Sequence, residues 1–245
     1  MALTKASLID LNGQELILDA DADTSITADT DDQIDFKVGG TDRLSLGSDG
    51  KLAVTEISHI TSGNLEIGNG DEKQVFNATS AFIQFQTNDT EAMRIDSAGH
   101  VTKPLQPAVL VGKSTSQLNL AVGSSVTHVF DSEIFDVNGD FSSNTFTAPV
   151  TGKYLVNLQV RYQSIPTDMI YIQTYLATSN GTRYMGLFGS GSSWFNSAAS
   201  YFRDGQSLLI DMDANDTFTV VTVQSGGTQQ MDIGGESYLS VALLS

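Results

Sequence analysis

Apolar residues alternate along this chain in two styles. Up to residue 103 the alternating runs are short: Ile34, Phe36 and Val38, then Leu44 and Leu46, then Leu52 and Val54. A period of two places each set on one face of a short strand. Gly39-Gly40-Thr41-Asp42 and Gly47-Ser48-Asp49-Gly50 separate these runs as turns, and Asn12-Gly13 between Leu8–Leu11 and Glu15–Leu18 is a type I′ hairpin signal. Beyond residue 104 the runs lengthen. Tyr154–Val160, Met169–Leu176, Phe218–Val223 and Tyr238–Leu244 are rich in β-branched and aromatic residues, with Gly-, Ser- and Asn-rich turns between them. No apolar pattern of period 3.6 spans a full helix, so the fold class is all-β.

The short-run part repeats itself at an offset of 49 residues, with Gln33–Leu52 lying over Phe82–Val101. Ile34 matches Ile83, Phe36 matches Phe85, Thr41 matches Thr90, Leu44 and Leu46 match Met93 and Ile95, Gly50 matches Gly99, and Leu52 matches Val101. Upstream, Leu16 and Leu18 match Leu65 and Ile67. A unit of about 40 residues with two or three apolar residues per strand buries too little surface to offset its chain entropy. Several copies of the chain sharing one apolar seam would supply the missing core, which points to a fibre-like oligomer.

Composition sharpens the division. Residues 1–103 hold four aromatics and no proline, whereas residues 104–245 hold the other 16 of 20 aromatics and all four prolines. The first part has 18 acidic against 7 basic residues, a net −11 of the chain's −17. A boundary is expected near Lys103-Pro104, with 1–55 as an attachment end plus first β repeat, 56–103 as a second repeat, and 104–245 as a sandwich or jelly roll of eight to ten strands. The acidity repels phosphate backbones and anionic lipid, so neither nucleic acid nor a membrane surface is an expected partner. The absence of cysteine excludes disulfides, thiolate metal sites and cysteine nucleophiles. Neither an apolar stretch of transmembrane length nor a signal-peptide pattern is visible.

Two resemblances attach to these segments. Asn88-Asp-Thr-Glu-Ala-Met-Arg-Ile-Asp-Ser-Ala-Gly-His-Val101 resembles the E-x-M-R-I-D-S-x-G-x-V repeat of bacteriophage tail fibres, and the acidic Leu18–Phe36 stretch resembles repeats of phage tail proteins, especially of marine phages. Residues 104–245 resemble the C1q/tumour-necrosis-factor-like head domain. The carrying residues are Phe135-Asp136, Gly139, Phe146-Thr-Ala-Pro-Val-Thr-Gly-Lys-Tyr-Leu155, Leu208–Val220 and Met231–Leu243. Where that family usually has Gly-Asp before a late strand, this chain has Asn215-Asp216. The second resemblance implies a homotrimeric jelly roll whose outer loops bind partners. Phage fibres with the repeat often end in a self-cleaving chaperone domain, and this chain does not carry one over.

Candidate chemistry is sparse. Asp19, Asp21 and Asp23 would share one face of a strand, but a calcium loop starting at Asp19 needs glycine and glutamate where Thr24 and Thr30 stand. Asp211, Asp213 and Asp216, near a strand end, are a second candidate for calcium; no other cofactor is expected. His59, His100 and His128 have no metal-ligand spacing and read as surface or packing residues. No phosphate loop, nucleophile elbow or H-E-x-x-H motif occurs, so no enzyme is expected. Arg183-Tyr-Met-Gly-Leu-Phe-Gly-Ser-Gly-Ser-Ser-Trp-Phe195 places the single tryptophan in loop-prone sequence. Arg183, Tyr184, Phe188, Trp194 and Phe195 are the candidate receptor-binding set; their bland reading is core or trimer interface, and Tyr201-Phe-Arg203 divides the same way.

The resulting expectation is an N-terminal repetitive β-meander or β-prism stalk and a C-terminal C1q/TNF-like jelly-roll sandwich, trimeric. As a function it implies a bacteriophage virion fibre or appendage on tail, neck or capsid, made in the host cytoplasm. It would contact other virion proteins through its N-terminal region and a host cell-surface glycan or protein through its head. The alternative is a capsid- or neck-decorating fibre without a receptor.

Overall fold

The computed structural model describes residues 15–28, 30, 33–54, 64–69, 71–77, 81–189 and 199–245, in which every regular element is a strand. By contacts the chain divides into two units, Met1–Thr90 with Ile95–His100 and Glu91–Arg94 with Val101–Ser245. The hairpin expected at Asn12-Gly13 lies outside the described residues.

The repeat is realised strand for strand. β1 (Leu16–Ile17), β2 (Ser25–Thr27), β3 (Ile34–Val38), β4 (Thr41–Leu46) and β5 (Leu52–Val54) form one five-stranded sheet in chain order. β6 (Asn64–Asn69), β7 (Glu72–Asn77), β8 (Phe82–Thr87), β9 (Thr90–Ile95) and β10 (Val101–Thr102) form a second, also ordered as a meander. The β3–β4 and β8–β9 turns solve one steric problem with different residues. Gly39 and Gly40 have φ of 61° and 70°, and their repeat mates Asn88 and Asp89 have φ of 51° and 54°. A two-residue hairpin of type I′ needs positive φ at both centres, which glycine, asparagine and aspartate tolerate best.

Pairing in the first sheet separates its two faces by chemistry. Ile26 lies opposite Phe36, Phe36 opposite Leu44, and Leu44 opposite Val54. Ser25 lies opposite Lys37, Thr27 opposite Asp35, and Asp35 opposite Ser45. One face is therefore apolar and the other polar. Asp35 is fully covered, accepts hydrogen bonds from Gln33 Nε2 and Ser45 Oγ, and is held below the usual carboxylate range chiefly by the serine. The second sheet departs from strict repetition. Exact copying would put Val75 opposite Phe85, but Val75 pairs with Gln84. This one-residue difference in register moves Val75 to the face opposite Phe76 and Ile83, where it is buried.

Residues from 108 onward form a two-sheet sandwich with jelly-roll order. One sheet runs β13 (Ser132–Asp136), β11 (Ala108–Gly112), β22 (Tyr238–Leu243), β16 (Gly152–Ile165), β19 (Ala199–Met212), with β21 (Asp232–Ile233) on β16. The other runs β14 (Phe141–Ser142), β15 (Thr145–Thr147), β20 (Thr217–Gly226), β17 (Met169–Thr178), β18 (Gly181–Phe188), with β12 (Ser125–Thr127) on β20. Successive strands pass from sheet to sheet, so the core forms from residues distant in sequence. Twelve strands are described here against eight to ten expected; the excess consists of pieces of two or three residues such as β12, β14 and β21.

The inner faces read directly from alternation. Tyr154, Val156, Leu158, Val160 and Tyr162 of β16 point inward against Ile172 and Leu176 of β17 and Phe218 and Val220 of β20. Phe146 anchors one end, its ring 5.2 Å from Phe218 and 5.5 Å from Tyr154. The Tyr154 hydroxyl donates to Val150 O at 2.6 Å, which satisfies the one polar atom in that aromatic cluster. The Phe-x-Ala-Pro-x-x-Gly-x-Tyr segment is thus a packing device, with Phe146, Ala148 and Tyr154 all fully buried.

Candidate functional site

Three of the predicted receptor-binding residues, Arg183, Tyr184 and Phe188, fall on β18, the last strand of the β20 sheet among the described residues, and pairing sorts them. Tyr175 of β17 pairs with Tyr184, whereas Ile172, at the core, pairs with Phe188. Tyr184 stands on the outer face, 65% exposed, its ring edge-on to Tyr175 at 5.8 Å. The Tyr175 hydroxyl lies 2.9 Å from Ser125 Oγ on β12. Leu187 shares the outer face and is 62% exposed. Phe188 instead turns inward and meets the Phe202 ring at 5.0 Å, while Phe202 stacks on Tyr162. Phe188 therefore belongs to the packing of the sandwich, because β-strand alternation around the bulge at Thr174/Tyr175 puts it on the core side. Arg183 is exposed, with its guanidinium on the neighbouring Thr182 carbonyl at 3.3 Å. Trp194 and Phe195 lie outside the described residues. The sequence reading missed Tyr175 and Leu187, although the alternation Tyr171, Gln173, Tyr175 against Ile172, Thr174, Leu176 contained the signal.

A second surface is the outer face of the β11 sheet. Leu209 and Tyr238 are exposed there, and a concavity of about 430 Å³ is lined by Leu110, Asn157, Gln159, Gly205, Ser207 and Tyr238. Apolar and uncharged polar groups mix in it. At one end of the face Arg161 and Arg203 lie directly opposite each other, a repulsive pairing relieved by Glu236, which accepts from both guanidinium groups. Arg161 also sits 4.2 Å over the Tyr201 ring.

The meander sheets offer a third surface. In the first, Ile34, Phe36, Leu46 and Leu52 are all exposed; in the second, Ile67 and Phe85 are. These exposed side chains are not scattered: Ile34 pairs with Leu46 and Leu46 with Leu52 across the first sheet.

The two sets of acidic candidates are arranged differently. Asp19, Asp21 and Asp23 do bring carboxylate oxygens within 4.8 Å of one another, but from the loop between β1 and β2 and not from a strand as expected. Asp19 is engaged with Thr24, which holds it below its ordinary range. Asp211, Asp213 and Asp216 do not converge. Asp211 pairs with Lys153, while Asp216 accepts from Ser179 Oγ, Asn180 Nδ2 and the Asp213 amide. Asp216 thereby closes the turn before β20. His100 completes a turn as well: Asp96 accepts from the Ala98 and His100 amides, both at 2.9 Å, and lies 3.0 Å from His100 Nδ1. With Gly99 at φ +86°, this is the structural content of the Asp-Ser-x-Gly segment.

No family model matches the chain, and no curated protein matches it. Among solved structures it is similar to the globular domain of zebrafish complement 1qA, with 17% identity over 57% of this chain and 98% of that one at a TM-score of 0.42. It is also similar to murine APRIL at pH 8.0, with 10% identity over 57% of this chain and 99% of the other at a TM-score of 0.41.

Proposed function

We propose that this chain is a homotrimeric appendage of a bacteriophage virion, with a β-meander stalk and a sandwich head that binds a host cell-surface glycan or protein. The observation that carries the assembly is the chemical separation of the meander faces. A sheet with Ile34, Phe36 and Leu46 exposed on one side leaves apolar surface in water unless another copy covers it. Three copies turning these faces toward a common axis would make a β-prism with an apolar interior. Leu209 and Tyr238 on the β11 sheet support contact between heads as well. The phage assignment and the number three rest on the sequence resemblances.

The binding role rests on the Tyr184–Tyr175–Leu187 surface. Aromatic rings on a rigid strand lose little entropy on stacking against a sugar ring or an apolar side chain. Three identical heads multiply a weak single contact by effective concentration.

Light scattering after size exclusion tests the assembly: the expected mass is about 79 kDa, three times the 26.2 kDa chain, and a monomer at micromolar concentration overturns it. For binding, Tyr184→Ala should weaken adhesion to host cells by at least about tenfold, as loss of a contact worth about 1–2 kcal/mol in even one engaged head requires. Its mass should stay that of the wild type. Adhesion unchanged in Tyr184→Ala and in Leu187→Ala would remove this surface from the reading and leave a fibre that decorates the particle without a receptor.

A further inference from the structure

The head contains a buried basic group that neither assembly nor binding uses. His128, just after β12, is fully buried; its Nε2 lies 2.7 Å from Thr222 Oγ1, and its Nδ1 has no hydrogen-bond partner. Thr222 Oγ1 lies 2.9 Å from Thr174 Oγ1, which also meets the buried Tyr162 hydroxyl. A neutral imidazole thus ends a chain of hydroxyls inside the sandwich. A second basic group is close by: Lys113, almost fully buried at the end of β11, donates to Val129 O at 2.8 Å.

Both groups bracket one segment, residues 113–131, which leaves the β11 sheet and crosses to the β20 sheet. It is a strap held by backbone hydrogen bonds: Gln117 to Ile233 in both directions, Leu120 N to Met231 O, Gly123 N to Gln224 O, and His128 N to Val220 O. The Gln117 side chain ties the strap to itself at Thr127 O and Val129 N. Leu120, at its middle, is buried over the core.

We propose that residues 113–131 form an acid-released latch: His128, seated neutral in the sandwich, keeps the strap closed, and its protonation in the open form releases it. The imidazole has no acceptor that would welcome a second N–H, so the cation is disfavoured inside and favoured once water reaches it. Burial pushes the imidazole down to about 3, and the Lys113 charge adds to the effect. At His128 burial is the largest effect among the groups around this corner. Asp131 is held far below the usual carboxylate range by Thr115 and Ser114, Tyr162 is pushed up to about 12 by burial, and Asp204 beyond it is raised by burial. The sign follows. A folded value below the unfolded one means that the open form binds more protons, so closure is fully stable above the unfolded value and weakens as pH falls below it. Between pH 7 and pH 4.5 the open population of the strap should rise by about a hundredfold, from an unfolded histidine value of about 6.5.

Amide hydrogen exchange of the full-length protein, corrected for intrinsic rates, reads this directly. Peptides within 113–131 should lose about a hundredfold in protection between pH 7 and pH 4.5, while peptides from β16 change far less. Equal loss in both places means global unfolding and overturns the latch, as does an unchanged strap. His128→Gln, which keeps a partner for Thr222 but cannot titrate, should abolish the dependence; persistence of the dependence refutes the assignment. Should that variant fail to fold, the His128 ring resonances of the wild type decide: a neutral ring in the closed protein at pH 4.5 supports the latch, and a protonated one sinks it.

Discussion

Phe36→Asp is expected to break the proposed trimer. The ring is 40% exposed in the chain by itself, so its coverage in an assembly is worth roughly 1–2 kcal/mol per copy, and roughly 3–6 kcal/mol over three copies. That corresponds to a loss of about two to four decades in the association constant, before the cost of desolvating three carboxylates is counted. Light scattering at micromolar concentration should then find 26.2 kDa chains in place of the trimer. Ser48→Asp, in the exposed turn after β4, adds the same charge away from the apolar face and should leave the mass unchanged. A Phe36→Asp protein that remains trimeric would show that the meander faces are not the seam. The Phe85→Asp variant extends the test to the second sheet, where the register difference has left Phe85 on the apolar face while taking Val75 off it.

Phe218→Ala should produce the largest loss of stability in the head. The side chain is 1% exposed and packed at 5.2 Å against Phe146, whose other neighbour is Tyr154. Truncating a buried phenylalanine costs about 3–5 kcal/mol, because lost transfer energy and a residual cavity add. For a domain of this size that lowers Tm by roughly 6–20 °C. Differential scanning calorimetry reads the change, with Phe135→Ala on the exposed strand β13 as the control expected to shift Tm by less than about 3 °C. A shift in Phe218→Ala no larger than in the control would mean that the aromatic cluster does not hold the two sheets together.

The sequence by itself determined the strands and the faces they present. Alternation is local and has a period of two, so Ile34, Phe36, Leu44 and Leu46 could be placed on one face, and the offset of 49 residues predicted a second meander whose strands fall where the first predicts them. The run Tyr154–Val160 likewise falls within strand β16 as its composition predicted. What it could not give was register, since alternation within one strand is the same whichever residue it pairs with; only the folded sheet shows Val75 opposite Gln84, and so on the face away from Phe76 and Ile83. Nor could it sort the aromatics of β18, where a bulge decides that Tyr184 faces water and Phe188 the interior. The acidic triples show the same division. Spacing suggested shared faces for Asp19, Asp21 and Asp23 and a common focus for Asp211, Asp213 and Asp216, but a loop gathers the first set and separate partners disperse the second. His128 is the clearest case. Nothing within several residues of it specifies burial; Thr222 meets it from β20, and Thr174 of β17 and Tyr162 of β16 are linked to it through Thr222. Only long-range packing assembles such a site, because the jelly-roll path brings His128 and Thr222 together across 94 positions of the chain.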